Sequence, residues 1–257
     1  MKRRLGKGEP RHDARMLSMA RYLPPAVVLP PAVNWGSAVP KWPMMLNDQL
    51  GDCTCAAAGH MIEAWSASEA VADKKGAEAV VTDQQILAAY EAVSGYSPAQ
   101  PESDQGAIVL DVLNYWRQTG IAGHKITAFG SVNPLITRNV KTAIFLLGGL
   151  YIGVSLPLGA QNQNGTWTTE GLSGDAAVRG GWGGHAVPIV GYSTQPDGSL
   201  PFHLVTWGQT WTMTQAFMAA YCDEAYGIVS PDWTADGKCP MGLDLGTLLA
   251  DLKLVTS

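Results

Sequence analysis

Two residues able to work together as nucleophile and base sit in distinctive surroundings. Cys53 follows Gly51-Asp52 and heads the run Cys53-Thr54-Cys55-Ala56-Ala57-Ala58-Gly59. At a helix start, unpaired N–H groups and the helix dipole favour the thiolate, the form that attacks a carbonyl. The competing reading is an inert core thiol, since cysteine is among the residue types most often buried. His185 lies in Gly183-Gly184-His185-Ala186-Val187-Pro188-Ile189-Val190-Gly191-Tyr192, at the beginning of an apolar strand and after glycines that permit close approach. An imidazole so placed can serve as a general base. His12, His60, His124 and His203 have no such setting. His60, on the helix after Cys53, reads as a core or helix-face residue.

The elements that must carry this pair follow from periodicity. Asp52 is a fitting N-cap, and Ala56, Ala57, His60, Met61 and Ala64 recur at helical spacing, predicting a helix over 53–68. Further helices are expected over 84–93 after Thr82-Asp83, over 107–119 ending at Gly120, over 140–147, and over 212–226. Strands are expected at 151–154, 185–192, 202–206 and 227–229, separated by turn signals such as Pro196-Asp197-Gly198. Helices first and strands later predict an α+β fold, a helical half (about 33–135) against a strand-rich half (about 136–257) with a cleft between. The stretch 143–158 is rich enough in apolar residues and glycine to read as a buried strand with its turn. The stretch 159–184, rich in Gly, Asn, Thr and Trp, is expected as long loops beside the cleft.

Residues 1–32 form a basic, proline-rich arm: Lys2, Arg3, Arg4, Lys7 and Arg11, a short helical stretch at 14–22, then Pro24-Pro25 and Pro30-Pro31. The expectation is a solvated, mobile arm, with a protein partner as its conceivable use. The net charge of -5 argues against non-specific nucleic-acid binding. No apolar run approaches the ~20 residues of a membrane span, and none follows the basic cluster as in a secretory signal. Cytoplasmic or virion-associated residence is therefore expected. Of the four cysteines, Cys53 and Cys55 lack the second pair a zinc site needs, while Cys222 and Cys239 fit either a bridge or two free thiols.

Five ordered segments carry a resemblance. Val33-Asn34-Trp35 resembles the V-D-W that opens mature papain-like cysteine peptidases. Gly51-Asp52-Cys53 with its small residues is similar to their G-S-C-W-A, and the 18 residues from Trp35 to Cys53 match their spacing. Ile62-Glu63, ending ten residues after the thiol, resembles their helix too. Gly184-His185-Ala186-Val187 running to Val190-Gly191-Tyr192 is similar to their histidine strand, and Thr206-Trp207-Gly208 with Trp211 to their N-S-W-G-x-x-W segment. The resemblance implies a papain-like fold, in a distant bacterial or bacteriophage member, and hydrolysis of a peptide or amide bond in a peptide or protein substrate. No metal or organic cofactor is implied. Cys53 and His185 would be the pair, the backbone N–H of Cys53 and the amide of Gln49 (or of Asn47) the oxyanion donors. Gly51, Asp104-Gln105-Gly106, Trp207 and the loops around Trp167 and Trp182 would wall the cleft.

Two features leave alternatives open. Cys53 and Cys55 stand about 200° apart on a helix, so only one can face the cleft. The spacing from Trp35 favours Cys53, while Gln49, six residues before Cys55, favours the other. The family's orienting asparagine is replaced by Val205, which leaves Thr206, Gln209 or a backbone carbonyl to hold the imidazole. A weak or inactive scaffold, for example a phage-particle component, and a transglutaminase-like acyl transferase are the competing functions.

Overall fold

The computed structural model describes residues 3–73, 79–233 and 243–256. In chain order these form β1 (Ala32–Asn34), α1 (Cys53–Asp73), α2 (Asp83–Ser94), α3 (Val109–Gln118), β2 (Ala128–Ser131), α4 (Thr137–Leu147), β3 (Leu150–Leu156), β4 (Thr166–Trp167), β5 (Gly183–Ser193), β6 (Phe202–Thr206), β7 (Gln209–Met213), α5 (Gln215–Tyr221), β8 (Cys222–Val229) and α6 (Leu245–Thr256). The class is α+β, as the sequence predicts. One mixed sheet runs β2-β8-β3-β5-β6-β7-β4, with β1 pairing β5 off that path and only β4–β7 parallel.

The start of α1 is fixed from several sides. Residues 53–65 are buried all round, as expected of a helix in the middle of a domain. Small side chains make that tolerable: a Cβ on Gly59 would lie 2.6 Å from the Met45 sulfur and 2.8 Å from Ile86 Cδ1. Tyr151 on β3 donates its hydroxyl to the Thr54 carbonyl at 2.6 Å, and Trp65 donates to Leu147 O at 3.1 Å. The cap expected of Asp52 takes another form. Its carboxyl is fully buried and accepts from Asn47 Nδ2 at 3.2 Å, while its backbone carbonyl receives the Cys55 and Ala56 N–H groups. Desolvation pushes this carboxyl well above the usual range. At α2 the capping box is present: Thr82 accepts from Gln85 N, and Gln85 reaches back to the Thr82 N–H at 2.9 Å.

Several expectations are corrected. The helix read over 212–226 is instead β7, α5 and β8; the short helical spacing of 215–221 runs straight into β8, whose nearly complete burial hides its alternation. The stretch 143–158 divides into the end of α4, an αL glycine at Gly148, and β3. The expected helix at 14–22 reduces to one 3₁₀ turn, Met19–Arg21. The halves interleave: β1 and β2 join the sheet from the first part of the chain, and α4, α5 and α6 come from the second.

The largest departure is the arm. Lys7 is buried, and Arg3, Arg4, Leu5, Gly6 and Gly8 are partly so. Gly6 N and Lys7 N donate to Gly184 O at 3.2 and 3.1 Å, Ala107 N donates to Gly6 O at 2.8 Å, and Gly8 N donates to Ala107 O at 2.9 Å. The arm therefore runs between the α3 side and the start of β5. Sequence reading missed this because the partners of a charged segment lie far along the chain. No described helix is long and apolar enough to cross a membrane.

Candidate active site

Cys53 is the first residue of α1 and only 1% exposed. The N–H groups of Ala186 and Gly6 face its sulfur and favour the ionised form, but burial outweighs them and pushes the thiol up to about 12. Ala186 directly follows His185, so the thiol lies against the start of β5. Cys55 packs in the helical core with Met45, Ala58 and Ile62, and burial raises its thiol further. Cys222 is likewise a buried free thiol, and Cys239 lies outside the described residues.

His185 is also 1% exposed. Its Nε2 shares a hydrogen bond with Thr206 Oγ1 at 2.8 Å, and its ring stacks on Trp207 with centroids 4.6 Å apart. Nδ1 is buried with no hydrogen-bond partner among the described residues. Desolvation brings the imidazole down to about 3, so it is neutral here. Strand alternation explains why Thr206 holds the ring. Val205 points the other way, into a cluster with Val39, Trp42, Ala64, Ala67 and Val190. Trp207 and Gly208 both have positive φ (47° and 67°) and join β6 to β7 through a two-residue turn of the I′ kind, which presents the indole to the histidine.

The remaining expected residues divide. Gly51 and Asp104 belong together: Gly51 N donates to Asp104 Oδ1 at 3.0 Å and Oδ2 at 3.2 Å, and Tyr90 OH donates to Oδ1 at 2.6 Å. Asp104 also pairs Arg4 of the arm at 3.5 Å, so it braces the thiol's loop and meets the arm. Trp182 packs on Trp207 at 5.8 Å. Trp167 is no cleft wall: it is fully buried in β4, edge-on to His185 at 6.2 Å. Gln49 is exposed, with its backbone carbonyl taken by Arg4 Nε at 3.0 Å, and Asn47 spends its amide on Asp52.

Sequence reading missed the cover. Trp207 Nε1 donates to Arg4 O at 3.2 Å, Arg3 lies over Trp207 and Trp211 at 5.1 and 4.7 Å, and a Cβ on Gly6 would overlap the Gly51 carbonyl. The glycine at position 6, in a segment with no other local need for one, was the available signal.

His60 is the other buried imidazole, donating from Nε2 to Pro43 O at 2.9 Å and edge-on to Trp42. Burial lowers it to about 4. It stays neutral when folded but takes a proton in the unfolded chain below about 6.5, so it costs stability as pH falls from 6.5 towards 4. His60→Gln, which keeps a donor for Pro43, should lose about 2 kcal/mol less stability than wild type between pH 7.5 and pH 5. Urea denaturation at the two pH values checks this; equal losses would contradict it.

No protein-family model matches the chain, and no curated protein matches it by sequence. Solved structures do. Xylellain, a cysteine protease from Xylella fastidiosa, has a TM-score of 0.65 at 18% identity, covering 89% of this chain and 98% of that one. Procathepsin L 3 from the larval midgut of Tenebrio molitor gives 0.60 at 14%, covering 87% and 75%. Bromelain from Ananas comosus, solved with the E64 inhibitor, gives 0.53 at 14%, covering 78% and 99%. The chain has the papain-like cysteine-protease fold.

Proposed function

We propose that the chain is a cysteine hydrolase of peptide or amide bonds, with Cys53 as nucleophile and His185 as its proton partner, held in a covered state by its own arm. The observation that carries this reading is the meeting of Cys53 with the start of β5, where the Ala186 N–H faces the sulfur. His185 keeps Nδ1 without another partner while Thr206 occupies Nε2. With the arm displaced, water would reach both groups and the desolvation that keeps them neutral would fall. His185 would take the Cys53 proton, the thiolate would attack the carbonyl, and the imidazolium would return the proton to the leaving amine. The Cys53 N–H, at the free end of α1, would serve the oxyanion, with the exposed Gln49 amide as its second donor. The fold of known cysteine proteases supports the same reading at the level of the superfamily.

A weak or inactive scaffold is favoured by two facts: the thiol is fully enclosed, and Val205 stands where the family's asparagine is expected. Alkylation separates the two. On the hydrolase reading, iodoacetamide captures Cys53 ahead of Cys55 and Cys222 once the arm is loosened, and Cys53→Ala abolishes hydrolysis of a fluorogenic peptide library while Cys55→Ala retains it. Full hydrolysis in Cys53→Ala sinks the assignment. Amine incorporation without hydrolysis would mark an acyl transferase instead.

A further inference from the structure

Among the described residues, Lys7 is the one charged residue of the arm whose side chain is almost wholly enclosed, 1% exposed. Its Nζ lies 3.1 Å from Asp223 Oδ2 and 3.3 Å from Glu224 Oε1, and donates to Gly8 O at 2.9 Å. The two carboxylates are nearly as deep, at 9% and 5% exposed. Each is held from behind: Ser155 Oγ donates to Asp223 Oδ2 at 2.6 Å, and Tyr226 OH to Glu224 Oε2 at 3.0 Å. The slot for the aliphatic stem exists because residue 153 has no side chain. A Cβ there would lie 2.6 Å from Lys7 Cε and 2.7 Å from Glu224 Cγ. The Lys7 backbone hangs on Gly184 O, next to His185, and the Gly6 N–H faces the Cys53 sulfur. The slot therefore opens one residue from the reacting thiol.

We propose that this slot, with Asp223 and Glu224 at its end, is a side-chain subsite that selects lysine or arginine in a peptide substrate, and that the arm fills it with its own Lys7. The inference rests on the hydrolase reading for the word substrate. Displacing the arm would leave two adjacent buried carboxylates without a counter-charge, which is costly unless another cation enters. A neutral or acidic side chain leaves that cost unmet, so the discrimination comes from the unpaired charge as much as from the new contact. Arginine has a further use: Asp223 Oδ1 is buried with no hydrogen-bond partner among the described residues, and a guanidinium offers more donors than an ammonium. A cavity of about 400 Å³, walled on one side by the arm from Pro10 to Ala14, borders the same carboxylates.

The test uses the full chain with Gly6→Leu and Lys7→Met together, so that the arm neither seats against Gly51 nor offers its own cation, in a Cys53→Ala background that cannot cleave. Labelled peptides identical except for Lys, Arg, norleucine or Glu at one scanned position are titrated by fluorescence anisotropy. At the position that meets the slot, Lys and Arg peptides should bind about 30-fold tighter than norleucine, and Asp223→Asn with Glu224→Gln should erase the difference. Should that chain fail to fold, Gly6→Leu without Lys7→Met carries the same comparison. Equal affinity for Lys and norleucine at every scanned position overturns the subsite and leaves Lys7 a latch only. The same peptides are then offered to chains that retain Cys53. Hydrolysis without basic preference keeps the hydrolase and removes the subsite; basic-selective binding without any hydrolysis keeps the subsite and removes the hydrolase.

Discussion

Gly6→Leu in the full chain should raise the rate of iodoacetamide capture at Cys53 about 50-fold at pH 7.5. The residue has no room for a side chain: a Cβ would overlap the Gly51 carbonyl, and backbone cannot yield as a flexible side chain does. The arm must leave the cleft near position 6, and with it goes the enclosure that pushes Cys53 up to about 12 from an ordinary 9.0. At fixed pH that return multiplies the thiolate by about a thousand. A less basic thiolate is also a weaker nucleophile, with a sensitivity near 0.4–0.5, which takes back a factor of about twenty. Easier access to the sulfur adds to the remainder. Peptide mapping by mass spectrometry reads the rate, with the buried Cys55 as internal control. An unchanged Cys53 rate would mean that the arm does not govern the thiol.

Thr206→Val should cut peptide hydrolysis by about 100-fold or more in the arm-loosened chain, and destabilise the fold by about 1–3 kcal/mol. Valine keeps the shape but leaves His185 Nε2 buried without its partner at 2.8 Å. The imidazole would lose both its orientation and part of the stabilisation of its charged form. Val205→Asn, which restores the residue found at the corresponding place in the papain-like pattern, should not help. Position 205 is 1% exposed and packed among Ala64, Ala67 and Val190, on the face of β6 away from the imidazole. An asparagine there would bury an unpaired amide, at a cost of about 1–3 kcal/mol. Urea denaturation gives the stabilities, and kcat with its pH profile separates a lost orienting bond from general loosening. A Thr206→Val chain with unaltered kcat, or a gain in Val205→Asn, would overturn the assignment of Thr206.

The local signals were good where the chain's own neighbours decide the outcome. Thr82 and Gln85 form their capping box regardless of the rest of the fold. The apolar run after His185 becomes β5, and the small residues after Cys53 become a helix buried on all sides. The signals failed where burial hides periodicity. In β8 nearly every residue is covered on both faces, so no alternation marks the strand and the turn of α5 before it reads as a longer helix. They failed also for Trp167, whose glycine- and asparagine-rich surroundings suggest an exposed loop although the ring sits beneath His185.

By itself the sequence determined the local settings: a thiol at a helix start, a histidine at a strand start, a Thr-Trp-Gly turn after the strand that follows. Those depend on residue type and on spacings of a few positions. Only the tertiary structure decided which of Val205 and Thr206 faces the imidazole, because that is a matter of strand register against β5. Only the tertiary structure placed Lys7 between Asp223 and Glu224 and laid Gly6 against Gly51. The protonation of the pair belongs with these. A thiol and an imidazole have ordinary values in water, and what moves them here is desolvation by burial, which only the folded chain supplies.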